Sequence, residues 1–156
     1  MYNYYLLYII AVMFVCPIIS IWVEKLLAKR ESSFQVLIEL VAKWFIFWAV
    51  GIRLLTAGFS QAVNPAFTGS ILDVPEVCFV AIKEIGFANI SMGLIAFMSL
   101  LLPTWRKAGG LCGGLYLGIA GFLHVSRIAE GINVKETIAM VSDLFIFSIV
   151  VFYLLS

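Results

Sequence analysis

Six polar or ionisable side chains in this sequence stand in apolar surroundings where such groups are scarce: Arg53, Glu84, Asn89, His124, Arg127 and Asp143. A guanidinium such as Arg53 suits an anionic or carbonyl oxygen. The carboxylates Glu84 and Asp143 with the imidazole of His124 are groups that could pass or hold protons, and the Asn89 amide can both donate and accept a hydrogen bond. Polar groups at membrane depth are costly and tend to face the protein interior, so together they suggest one shared polar site for a ligand. No residue in the set forms a nucleophile–base pair, and none is assigned as catalytic.

The elements that must position these groups are membrane helices. The chain has 156 residues, of which 63% are hydrophobic and 12% charged, and its mean hydropathy is +1.10, values that exclude an ordinary soluble domain. A span needs about 20 mostly apolar residues. The sequence predicts five, at about residues 2–23, 34–60, 76–102, 110–129 and 136–155, which form a single transmembrane domain over residues 1–156. The expected fold class is therefore all-α, an integral membrane bundle of five transmembrane helices.

The breaks between spans are the charged Glu24 to Ser33 linker, a loop holding Asn64-Pro65 and Val74-Pro75, the Pro103 to Gly110 turn and Gly131-Ile132-Asn133. Pro17 lies inside the first span, where it predicts a kink rather than a break. Lys25, Lys29, Arg30, Arg106 and Lys107 flank the ends expected to be cytoplasmic, whereas the loop from Gln61 to Pro75 carries no Lys or Arg. This places the N-terminus outside and the C-terminus inside. Trp22, Trp44 and Trp105 fall at the same expected cytoplasmic interface, with Tyr2, Tyr4, Tyr5 and Tyr8 at the opposite one. The first span has no basic segment before it and is long, so it reads as a retained helix rather than a cleaved signal peptide.

Counted from the outer ends, Arg53, Glu84, His124 and Asp143 each lie roughly 9–12 Å deep at 1.5 Å per residue. Lys83 and Arg127 lie near this layer, and Asn89 a turn or two deeper. An unpaired charge near the membrane centre costs about 2.5–3.5 kcal/mol on insertion scales, so pairing is expected. Arg53 should be neutralised by Glu84 or Asp143, while His124 and Arg127, one turn apart, share a face toward the other acid. The same residues could instead be a polar staple that fixes helix register and binds nothing. Glu84 and Lys83 could also snorkel to the interface, because the apolar run of the third span begins only at Ile85.

Gly110, Gly114 and Gly118 form a small-residue stripe on the fourth span that Gly121 extends toward His124. Packing inside one subunit is the simpler reading, with homodimerisation the other; Gly86 and Gly93 of the third span and Gly51 and Gly58 of the second are expected to offer the complementary surfaces. The single histidine excludes a bis-histidine haem, and no repeated metal-ligand spacing is present. Cys16, Cys78 and Cys112 are isolated, form no CxxC pair and read as buried inert thiols. No cofactor is called for. Glu39 and Lys43 read as an interfacial i, i+4 ion pair, and the net charge of +1 does not suggest nucleic acid.

The stretch Arg53-Leu54-Leu55-Thr56-Ala57-Gly58-Phe59, followed by Glu84-Ile85-Gly86 and Gly93, resembles the DoxX-like membrane superfamily, or a related uncharacterised bacterial membrane family. The resemblance covers about Phe45 to Ser156. It implies a four-helix core with the first span as an addition, a bacterial inner-membrane location, and a quinone-like ligand near Arg53 and Glu84. The basic residue that often follows the family glycine is replaced here by Ser60 and Gln61.

Three functional expectations follow. The first is a non-enzymatic binding or accessory protein whose outer-half site takes a small amphipathic molecule such as a quinone or lipid. The second is a proton-coupled carrier or membrane enzyme, in which Glu84, His124 and Asp143 relay protons; no internal repeat supports it. The third is a structural subunit of a membrane complex. The expected partners are the lipid bilayer, that ligand, and a membrane protein or a second copy of the chain.

Overall fold

In a bilayer the backbone must satisfy its own hydrogen bonds, which long apolar segments do by forming helices. The computed structural model describes residues 2–28 and 33–156. Five helices are long and apolar enough to cross a membrane: α1 (Tyr4–Ala28), α2 (Phe34–Val63), α4 (Glu76–Met98), α5 (Pro103–Glu130) and α6 (Val134–Leu155). The protein is an all-α helical bundle and a multi-pass membrane protein, with no strand among the described residues. Lys29 and Arg30, and the side chain of Tyr2, lie outside the described residues, as do Glu31 and Ser32 of the expected first linker.

Three boundaries differ from expectation. The first span continues through Glu24 and Lys25 to Ala28, because the Glu24 carboxylate is taken up by Lys43 and Trp44 of α2 rather than by a loop. The fourth helix begins at Pro103 rather than at Gly110. The loop expected between the second and third spans contains a further helix, α3 (Pro65–Leu72). Pro65 starts it, where a missing N–H costs nothing, and Asp73 ends it in the left-handed region at φ 55°.

Two π-helical turns interrupt the α-helical hydrogen bonding. One spans Ala11–Val15, immediately before Pro17, whose ring removes a donor and leaves the preceding turn free to widen. The other spans Ile46–Ile52 and delivers Arg53, whose backbone N–H reaches back to the Trp48 carbonyl. The two turns touch one another, and Met13 of the first carries the thioether that Arg53 reaches.

The glycines pack differently from the sequence expectation. Gly51 and Gly58 of α2 face Gly93 and Gly86 of α4: a Cβ on Gly58 would stand 2.6 Å from the Gly86 carbonyl oxygen, and one on Gly93 2.7 Å from the Leu55 nitrogen. Backbone therefore meets backbone along α2 and α4. The α5 stripe instead receives side chains of α6, Val150 at Gly114 and Phe147 at Gly118, while Gly113 receives Val50 of α2. The α5 glycines also meet other helices, with Gly109 against the Ala96 backbone of α4 and Gly110 against Ile46 of α2. Met13, Ile46, Leu54, Ala96, Leu117 and Ile146 close the core between all five spans. Large apolar side chains such as Leu7, Ile18, Phe87, Ile119 and Phe122 point outward, as lipid contact requires.

Candidate polar site

Arg53 of α2 and Asp143 of α6 form a buried ion pair between Nη2 and Oδ1. The second guanidinium nitrogen, Nη1, donates to the Met13 thioether at 3.7 Å, a weak acceptor that leaves this donor under-used. Of the two acids expected as partners, Asp143 is the one chosen. Glu84 and Lys83 are exposed on α4, whose inward face is taken by Ile82, Gly86 and Asn89. Glu84 is thus not brought to Arg53.

His124 and Arg127 do share a face, and the acid between them is Glu136, which the sequence reading left out of the site. His124 Nδ1 and Arg127 Nη1 each stand 2.9 Å from Glu136 Oε1. Glu136 is 1% exposed. The sequence reading starts the last span at about Glu136 and assigns the residue no role. The helix in fact starts earlier, at Val134, with Asn133 as N-cap: its Oδ1 accepts from the Glu136 backbone N–H at 3.0 Å. Glu136 and Asp143 fall two turns apart on one face of α6, and that spacing was the available signal. The charges consequently form a column along the bundle axis and not one flat layer.

Helix α3 covers the end of this column. Arg127 Nη2 lies 3.5 Å from the Leu72 carbonyl oxygen, and Asn133 Nδ2 donates to the Ile71 carbonyl at 2.6 Å. The Phe67 ring meets Tyr5 edge-on, with centroids 6.4 Å apart, and receives the Lys135 ammonium over its face. These contacts make up the cap end of the bundle.

Helix α1 closes the side of the site. Tyr8 hydrogen-bonds Thr56, and Tyr5 lies close enough to Arg53 and Asp143 to interact electrostatically. Tyr5 and Tyr8 therefore turn inward, whereas Tyr4 alone of the described tyrosines in this group is strongly exposed. On the far side, Asn89 Nδ2 donates to Gln61 Oε1 at 2.7 Å. Tyr116 of α5 interacts with Asn89 and with the Arg53–Asp143 pair, linking the two groups. Asn89 Oδ1 is buried without a hydrogen-bond partner.

At the opposite end, Lys43 pairs with Glu24 at 2.7 Å and Arg106 with Glu39 at 3.0 Å. The expected Glu39–Lys43 pair within α2 does not form, because each side chain has a partner on another helix. Cys16 and Cys78 are half-buried and Cys112 is exposed on the outer face of α5, so the thiols are less enclosed than expected. Among the described residues no three His, Cys, Asp or Glu side chains converge as a metal-ligand set.

Comparison with known families bears on this arrangement through one match that covers residues 7–156. The chain belongs to DUF6790, a family of unknown function. No curated protein and no solved structure matches it. The DoxX-like likeness rests on the short stretches around Arg53 and Glu84, and the family match does not show it.

Proposed function

We propose that this DUF6790 protein is a non-enzymatic membrane binding or accessory protein whose buried polar site, in the cap half of the bundle, takes a small amphipathic molecule such as a quinone or lipid. The observation that carries this reading is Asn89. It is 2% exposed, yet its Oδ1 accepts nothing. A buried acceptor left unmade costs about 1–3 kcal/mol, and a ligand hydroxyl would recover that.

Arg53 adds a donor. Its Nη1 rests on a thioether that a ligand oxygen outbids as an acceptor, and Met13 is flexible enough to swing aside. The ligand would thus offer one oxygen to Arg53 and one hydroxyl to Asn89, as a hydroxyl-bearing lipid or the reduced, quinol form of a quinone can, with Tyr116 near both. Apart from the exposed Glu84, the proposed contacts are Arg53, Asn89, His124, Arg127 and Asp143, to which the geometry adds Gln61, Tyr116 and Glu136. The DoxX-like likeness is compatible with such a ligand. For orientation, Lys43, Arg106 and Lys107 gather at the end opposite the cap, which supports a cytoplasmic C-terminus and an outward N-terminus; the bacterial inner membrane is what the DoxX-like likeness implies.

Native mass spectrometry with lipid analysis on gently extracted protein tests this reading. The wild type should retain one specific small molecule that the folded Asn89→Leu and Arg53→Ala variants lose. Retention of a stoichiometric protein partner by all three, with no small molecule, would make the chain a structural subunit instead.

A further inference from the structure

The end of the bundle opposite the cap carries an apolar groove of about 340 Å³. Phe34, Leu37 and Val41 of α2 form one wall, and Phe145, Ile149 and Phe152 of α6 the other. That volume falls within the range of small-molecule sites, roughly 300–1,000 Å³. The groove also has a definite length. Phe145 packs on Phe14 of α1 and Phe45 of α2, with ring centroids 5.0 and 6.1 Å apart, and these rings stop the groove short of the Arg53–Asp143 pair. From Phe145 to Phe152 α6 rises by about 11 Å at 1.5 Å per residue. One leaflet of a hydrocarbon core about 30 Å thick is about 15 Å deep, so the groove covers most of one leaflet. That is the reach of an acyl chain lying beside the bundle.

The lining suits such a chain better than a partner helix. Helices associate in membranes through small residues that let backbones approach and polar side chains that bridge them. Here the exposed rim is Phe34, Leu37 and Phe152, whose bulk holds another backbone away. The polar atoms of the lining are already used: Ser148 Oγ donates to the Leu144 carbonyl at 2.9 Å, and the Tyr153 hydroxyl donates to Glu39 Oε2 at 3.5 Å. The same carboxylate oxygen receives Arg106 at 3.0 Å. Lys107 is the surplus charge of this corner. Its ammonium stands 5.9 Å from the centroid of the Tyr153 ring, and no carboxylate pairs with it among the described residues.

We propose that this groove is a lipid-binding site that takes one acyl chain of an anionic phospholipid, with Lys107 drawing the phosphate to the basic end of the groove. Apolar contact along α2 and α6 holds the chain, and the lysine selects the headgroup by charge. The lysine ammonium sits on a flexible four-carbon stem, so it can follow a phosphate at the surface while its own helix stays fixed. The site lies at the opposite end of the bundle from the polar site of the cap half, and neither reading needs the other.

The test is native mass spectrometry of delipidated protein titrated with phosphatidylglycerol, or with phosphatidylcholine carrying the same acyl chains. The wild type should bind one phosphatidylglycerol about fivefold more tightly than phosphatidylcholine, the advantage expected of one lysine near a headgroup. Lys107→Gln should bind the two about equally. Ser148→Trp, which fills the groove from an exposed position, should lose most binding of both. Leu115→Trp, on the exposed face of α5 and outside the groove, should behave as the wild type. A wild type or a Lys107→Gln variant that departs from these preferences overturns the proposal, as does a Ser148→Trp variant that binds as the wild type does. A dimer that forms without lipid and is broken by Ser148→Trp also overturns it, and would make a second copy of the chain the occupant.

Discussion

Arg53 on α2 and Asp143 on α6 are joined as an ion pair inside the bundle, and that single contact ties the second membrane span to the last. Both side chains are more than nine-tenths buried. Removing one partner leaves the other charge uncompensated in a low-dielectric interior, whereas removing both removes the problem. Arg53→Ala or Asp143→Ala alone should destabilise the bundle by about 3–5 kcal/mol. The paired Arg53→Met, Asp143→Leu variant should recover most of that loss. Reversible unfolding in mixed micelles measures it, and strictly additive losses would show that the pair is not the unit.

The α2–α4 contact is backbone against backbone, which makes Gly58 a sharper test than the more conspicuous α5 stripe. Gly58→Ala forces a methyl against the Gly86 carbonyl, 2.6 Å away, and neither helix can yield locally. A loss of about 1–3 kcal/mol is expected, as for other overpacked interiors. In Gly110→Ala of that stripe the nearest neighbour is the Ile46 Cδ1 methyl, 2.9 Å away at the far end of its side chain and able to shift, so a smaller loss should appear in the same unfolding assay.

Asn133 serves two elements at once, capping α6 through Oδ1 and holding α3 through the Ile71 carbonyl. Asn133→Ala should cost about 1–2 kcal/mol. Asn133→Ser keeps a capping oxygen but loses the amide N–H, so stability should largely return while α3 stays loosened. Faster amide hydrogen exchange over residues 65–73 in both variants is the expected signature; protection unchanged in both would remove Asn133 as the tether.

The partner of Lys43 separates a local from a tertiary reading. The ammonium is bound by Glu24, on another helix, and not by Glu39 one turn away on its own. A double-mutant cycle between Glu24 and Lys43 should give a coupling of about 0.5–1 kcal/mol, with a value near zero between Glu39 and Lys43.

Much of the architecture is legible in the sequence because the bilayer imposes it. Runs as apolar as the first and last spans have no other way to satisfy their backbones, and the helix positions follow within a turn or two. The Arg127–His124 spacing also reads correctly as one face of one helix, since that periodicity is local. Helix α3 was less visible: its eight residues are too short to span, and their amphipathic signal matters only once Phe67, Ile71 and Leu72 have Tyr5, Asn133 and Arg127 to rest on.

What the sequence by itself determined was the class, the five spans and the scarcity of charge, all consequences of transfer energies that each segment carries alone. Tertiary structure decided the pairings. Glu84 and Asp143 look alike at a similar depth along their helices. Which of them meets Arg53 depends on the rotation of each helix about its axis, and that rotation is set by Gly51, Gly58, Gly86 and Gly93 locking α4 against α2. With that face of α4 committed, Glu84 points outward and Asp143 inward. Glu136 likewise looks interfacial until α3 and Asn133 cover it. Rotation and coverage belong to pairs of segments, so no single segment's sequence contains them.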